Sequence, residues 1–124
     1  MPLLTLLWFA RTGSRTVLGA LAVCVLAASA ALAAEPHVRI GSPADGATLD
    51  AMEQNRLAYE VEPGPRGDHV HVYVDGEEVG ILRQLKGSYT LETLAPGERE
   101  LCVKVVNKAH TPIGVQDCVK VRVE

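Results

Sequence analysis

The stretch Asp68 to Val74 reads D-H-V-H-V-Y-V, in which Val70, Val72 and Val74 alternate strictly with His69, His71 and Tyr73. Successive side chains of an extended chain point to opposite faces, so this period of two puts three valines on one side of a strand and three rings on the other. A helix would scatter the same residues around its axis. The Asp75-Gly76 dipeptide that follows tolerates the positive φ angles of a two-residue hairpin, and Glu78 to Leu82 can return as the partner strand.

The same kind of run recurs from His37 onward. His37 to Ile40, Arg56 to Val61, Gly87 to Leu91, Glu100 to Val106 and Val115 to Val123 are rich in Val, Leu, Ile, Thr and Tyr, and turn clusters separate them. No helical period of useful length interrupts them. The expectation is an all-β fold, a small immunoglobulin-like antiparallel β-sandwich of about seven strands. Leu101, Val103 and Val105 share one face, as do Val119, Val121 and Val123, while Asp117 is directed inward by strict alternation. A bulge or a sheet edge would accommodate that acid.

The first quarter of the chain is of another kind. Val17 to Ala34 is an uncharged apolar run, preceded by Arg11 and Arg15 and ending in small residues, which are the three parts of a secretory signal. Ala31-Leu32-Ala33 offers small residues at both positions read by signal peptidase, so cleavage is expected after Ala33, with Ala34 as the alternative. Residues 1–33 are then a signal peptide and residues 34–124 the folded domain. The run is also just long enough for an uncleaved anchor, but the small-residue ending favours removal, which leaves no stable membrane span. Cys24 does not make a lipoprotein signal, because Val23 occupies the place of a small residue and more apolar sequence follows. The apolar stretch Met1 to Ala10 precedes the basic residues, so either the start lies downstream of Met1 or the n-region is long.

Every Asp and Glu lies from Glu35 onward, so residues 34–124 carry ten basic and fifteen acidic side chains, a formal charge of −5. A nucleic-acid surface needs a basic patch to displace counterions from phosphate, and this balance argues against one. Removal of the leader also leaves two cysteines, Cys102 and Cys118, in a periplasmic or secreted protein where thiols are oxidised. If the last two strands form a hairpin centred near His110 and Thr111, these cysteines stand opposite one another, close enough for a disulfide.

Ile40-Gly41-Ser42-Pro43-Ala44-Asp45-Gly46-Ala47-Thr48-Leu49 resembles the first strand and turn of bacterial extracytoplasmic immunoglobulin-like or fibronectin-type-III-like domains. Tyr73-Val74-Asp75-Gly76-Glu77-Glu78-Val79-Gly80, followed by Leu94-Ala95-Pro96-Gly97, resembles the short surface modules known as PEGA domains. The resemblance spans most of residues 37–123 and implies a fold more than a function. The chain departs from antibody domains in having no Trp after residue 34 and in placing its cysteines on adjacent strands.

No nucleophile-elbow motif accompanies Ser42 or Ser88, and Asp45, Asp50 and Asp75 lack the spacing of a calcium loop. The expectation is therefore a non-enzymatic binding module. The four histidines carry what chemistry there is: His37 near the domain's start, His69 and His71 on one strand face, His110 in the last hairpin loop. Sandwich topology gathers these positions at one end. An H-x-H pair with a third imidazole from a loop suits copper or zinc, copper being the first to test. The expected set is His69, His71 and His110, with His37 or the new amino terminus as a fourth ligand. An amino-terminal copper chelate is excluded: with cleavage after Ala34, His37 would be the third residue, but Pro36 lacks the amide nitrogen it requires. The rival expectation is an envelope structural or interaction module, docking a protein partner through the partly apolar Thr111-Pro112-Ile113-Gly114 loop, with the histidines incidental. Such a site would be open, on a strand face toward solvent.

Overall fold

The computed structural model describes Gly19 and residues 35–124. Apart from Gly19, the expected signal peptide, residues 1–33, lies outside the described residues, as do its cleavage sites and Cys24. Among the described residues no helix is long and apolar enough to cross a membrane.

Eight strands and no helix make up the described chain: β1 (His37–Ser42), β2 (Thr48–Leu49), β3 (Arg56–Glu62), β4 (His69–Val74), β5 (Glu77–Leu82), β6 (Lys86–Thr90), β7 (Gly97–Val106) and β8 (Pro112–Val123). They form a three-stranded sheet in the order β1-β3-β6 and a five-stranded sheet in the order β2-β8-β7-β4-β5. The additional strand relative to expectation is β2, two residues that pair parallel with the end of β8 and are too short to leave a periodic signature. The all-β sandwich is otherwise as the alternation implies.

Period-two burial holds on both sheets. Leu57, Tyr59 and Val61 of β3 face Val70 and Val72 of β4, Leu101, Val103 and Val105 of β7, and Val119, Val121 and Val123 of β8 across one hydrophobic core. Burying a Val or Leu side chain contributes about 1.5–3 kcal/mol each, against the entropy of ordering a chain this short. The β4–β5 turn is built as its sequence demands, with Asp75 at φ 52° and Gly76 at φ 84°.

The β7–β8 hairpin pairs Cys102 with Cys118, and their sulfurs are bonded. The Cα atoms are 4.1 Å apart, the close approach of an antiparallel pair that shares no ladder hydrogen bonds. Asp117 does point inward, beside Val103 in register. Its Oδ2 accepts a hydrogen bond of 2.9 Å from the Ile40 amide, next to the register shift in β1. The inward acid thus ties the two sheets together where a ladder partner is missing.

Candidate metal centre

His69 and His71 project from β4 away from the valine core, onto the outer face of the five-stranded sheet. Their register neighbours on β7 are Val106 and Lys104, and Ile81 of β5 lies beside His71. At 1% exposure each, however, both rings are buried. This corrects the expectation of a solvent-facing pair: the 107–111 loop brings His110, itself exposed, against both rings and covers them.

That loop is organised by Asn107. Its Oδ1 accepts hydrogen bonds from the Ala109 and Thr111 amides at 2.9 and 3.0 Å, and its carbonyl accepts one from the His110 amide at 2.9 Å. These contacts hold His110 at φ 63°, a left-handed conformation uncommon outside Gly but one that His, like Asn and Asp, adopts more often than most residues. The side chain is thereby aimed back over β4.

The outcome is a triangle of nitrogens. His69 Nε2, His71 Nε2 and His110 Nδ1 are each 3.1 Å from the other two. The centre of such a triangle is about 1.8 Å from each nitrogen, just inside the 2.0–2.1 Å of a zinc–imidazole bond. His69, His71 and His110 would supply three nitrogen ligands to a zinc or copper ion held there.

Two carboxylates stand behind the triangle. Asp68 Oδ2 is 2.9 Å from His69 Nδ1, which therefore carries the proton and donates, leaving Nε2 with a lone pair directed at the centre. Glu78 Oε2 is 3.3 Å from His71 Nδ1. That approach is too poorly aligned for a hydrogen bond, and Nδ1 is a buried polar atom without a hydrogen-bond partner. A small adjustment of the Glu78 side chain, nearly half exposed, would complete the same arrangement.

The hydrogen bond with His69 holds the Asp68 carboxyl below its ordinary value; partial burial opposes this, and the charges of His69, Arg83 and Lys108 add to the lowering. Burial is the main cause that keeps His71 below the usual imidazole value, with the facing His69 and His110 rings adding to it and Glu78 opposing. A neutral imidazole is the form that ligates a metal.

His37 is not brought into this group. It begins β1 in the three-stranded sheet, and its Nδ1 lies 2.9 Å from the Glu35 carbonyl. The histidine triangle lies on the outer face of the opposite sheet, so the sandwich itself, two sheets about 10 Å apart, separates His37 from it. Sequence reasoning missed Asp68, Glu78 and Asn107. Asp68 adjoins His69, and the two-residue turn at Asp75-Gly76 sets Glu78 opposite Tyr73 on the histidine face, so both were legible in principle.

A second group of potential ligand atoms, Glu100 with Cys102 and Cys118, lies on the same sheet face. Its sulfurs are consumed in the disulfide.

No family model matches the chain, and no curated protein does. Solved structures do. A fibronectin(III)-like module of CbhA from Clostridium thermocellum superposes with a TM-score of 0.59 at 21% identity, covering 70% of this chain and 95% of that one. This is a fibronectin-type-III-like fold. Two larger proteins contain similar regions: an engineered protein (TM-score 0.53, 22% identity, 74% of this chain and 21% of that one) and an FMN-binding β-glucuronidase from Faecalibacterium prausnitzii (TM-score 0.52, 21% identity, 74% and 12%). At these identities the fibronectin-like similarity is one of fold.

Proposed function

We propose that this protein is an exported, non-enzymatic binding module that holds one copper or zinc ion through His69, His71 and His110, after removal of residues 1–33. The observation that carries the reading is the convergence of three imidazole nitrogens at 3.1 Å from one another, two of them on buried rings. Hydrogen bonding accounts for it poorly. With Nδ1 of His69 committed to Asp68, its Nε2 offers a single lone pair, so hydrogen bonding cannot satisfy all three 3.1 Å contacts at once. A metal ion satisfies all three at once.

Export is supported by the leader-like sequence and by a disulfide, which persists in an oxidising compartment. The non-enzymatic reading is supported by the likeness to a fibronectin(III)-like module.

The test is a titration of the purified protein with Zn2+ and Cu2+, followed by calorimetry or a competing chromophore. One equivalent is expected to bind at micromolar or tighter affinity, and the His69→Ala, His71→Ala double variant to lose it. Equal binding by that variant would place the ion elsewhere and leave a partner-docking module with incidental histidines.

A further inference from the structure

We infer that Asp68 and Glu78 set the charge of the ion, so that the histidine triangle takes a divalent cation in preference to cuprous copper. The inference rests on the proposed metal centre and concerns residues that do not themselves ligate.

The three ligating groups are neutral imidazoles and contribute no charge. Behind them stand two carboxylates, at 2.9 Å from His69 Nδ1 and 3.3 Å from His71 Nδ1, on rings that are 1% exposed. Two negative charges relayed through two buried rings balance an ion of charge two. With Cu+ one of the two negative charges is left unbalanced by the ion; the carboxylates are 30% and 44% exposed, so solvent reduces this difference, while the rings between them and the ion are buried. The cations nearby do not cancel the pair. Arg83, 3.6 Å from Asp68 and 69% exposed, and the exposed Lys108 both act on Asp68, through solvent that screens them. Lys104 is placed over the Tyr73 ring, 4.5 Å from its centroid.

The donor set points the same way. Cuprous copper favours thiolate and thioether sulfur, whereas imidazole serves zinc and cupric copper well. Among the described residues the triangle includes no sulfur: Cys102 and Cys118 are bonded to each other, and Met52 is 92% exposed in a turn after β2. The Asp68 hydrogen bond also fixes the Nδ1–H tautomer of His69 and raises the basicity of its ligating nitrogen, and Glu78 is placed to do the same for His71; loss of such a partner costs about ten- to a hundredfold in affinity.

The experiment compares Zn2+, Cu2+ and, under anaerobic conditions, Cu+ in competition with chromophoric chelators, for the unmodified protein, Asp68→Asn and Glu78→Gln. Coulomb energy scales with the product of the charges, so a lost carboxylate charge costs a dication twice, on a logarithmic scale, what it costs a monocation. Each variant is expected to weaken Zn2+ and Cu2+ by about ten- to a hundredfold and Cu+ by only about three- to tenfold. A general loosening of the site would weaken all three ions alike, so the difference between them reads the charge and not the fold. Equal losses for all three ions, or none, would overturn this inference and leave the metal centre standing. Failure of the unmodified protein to bind any of them would overturn both.

Discussion

Breaking the Cys102–Cys118 bond separates the stability of this sandwich from its ligand chemistry. The bond closes a loop with a sequence separation of 16 between neighbouring strands. Loop-closure entropy for about 15 residues contributes about 3 kcal/mol through the unfolded chain. For a domain of this size about 1 kcal/mol shifts Tm by 4–8 °C, so the loss should appear as a fall of about 12–24 °C. The register already pairs β7 with β8 from Gly97↔Val123 to Val106↔Pro112, so the native hairpin survives reduction and the cost falls on the unfolded side. The perturbation is a Cys102→Ala, Cys118→Ala double variant, measured by urea unfolding beside the oxidised and the reduced unmodified protein. The reduced protein controls for the change in packing, because Cys102 is buried at 3% exposure. A loss below about 1 kcal/mol in both would refute the reasoning, since the hairpin would then constrain the unfolded chain without the bond. The histidine triangle lies on β4 and the hairpin's far end, and its metal affinity should change less than about threefold in the reduced folded protein.

Further outcomes follow from single contacts. Asp117→Ala removes the acceptor of the Ile40 amide and should cost about 1–3 kcal/mol in urea unfolding, as an unpaired buried donor does; an unchanged midpoint would show that water replaces the carboxylate. At Gly80 an added Cβ would lie 2.6 Å from the Tyr89 ring, whose hydroxyl donates to the Val79 carbonyl, so Gly80→Ala should cost about 1–3 kcal/mol by thermal melting. Because His71 has a folded pKa below that of the unfolded chain, the unfolded state takes up its proton first. Metal-free protein should therefore be fully stabilised by this group above about pH 6.5 and lose that contribution as pH falls toward the folded value. Urea midpoints from pH 7.5 down to 5 check it, and His71→Gln should flatten the dependence.

Much of the fold is legible locally because its determinants are local. The alternation at 68–74, the Asp75-Gly76 turn and the opposition of Cys102 to Cys118 each depend on neighbouring residues or on one hairpin, and all three appear in the structure. The same alternation set His69 and His71 on one face. It could not reveal their burial, which depends on how a loop some forty residues away folds back under the control of Asn107. His37 shows the opposite failure. Gathering loops at one end of a sandwich says nothing about which outer face a side chain occupies, and β1 belongs to the other sheet. Asp117 broke the pattern in the sequence, and the structure gives it a partner that no local rule could name.

The proposed function stands on three imidazoles meeting at one ion. X-ray absorption at the zinc edge, on protein loaded with one equivalent of Zn2+, tests it most directly. Three histidine nitrogens are expected at about 2.0–2.1 Å with a single light fourth ligand, falling to two histidines in His110→Ala. A first shell containing sulfur, or one that His110→Ala leaves unchanged, would contradict it.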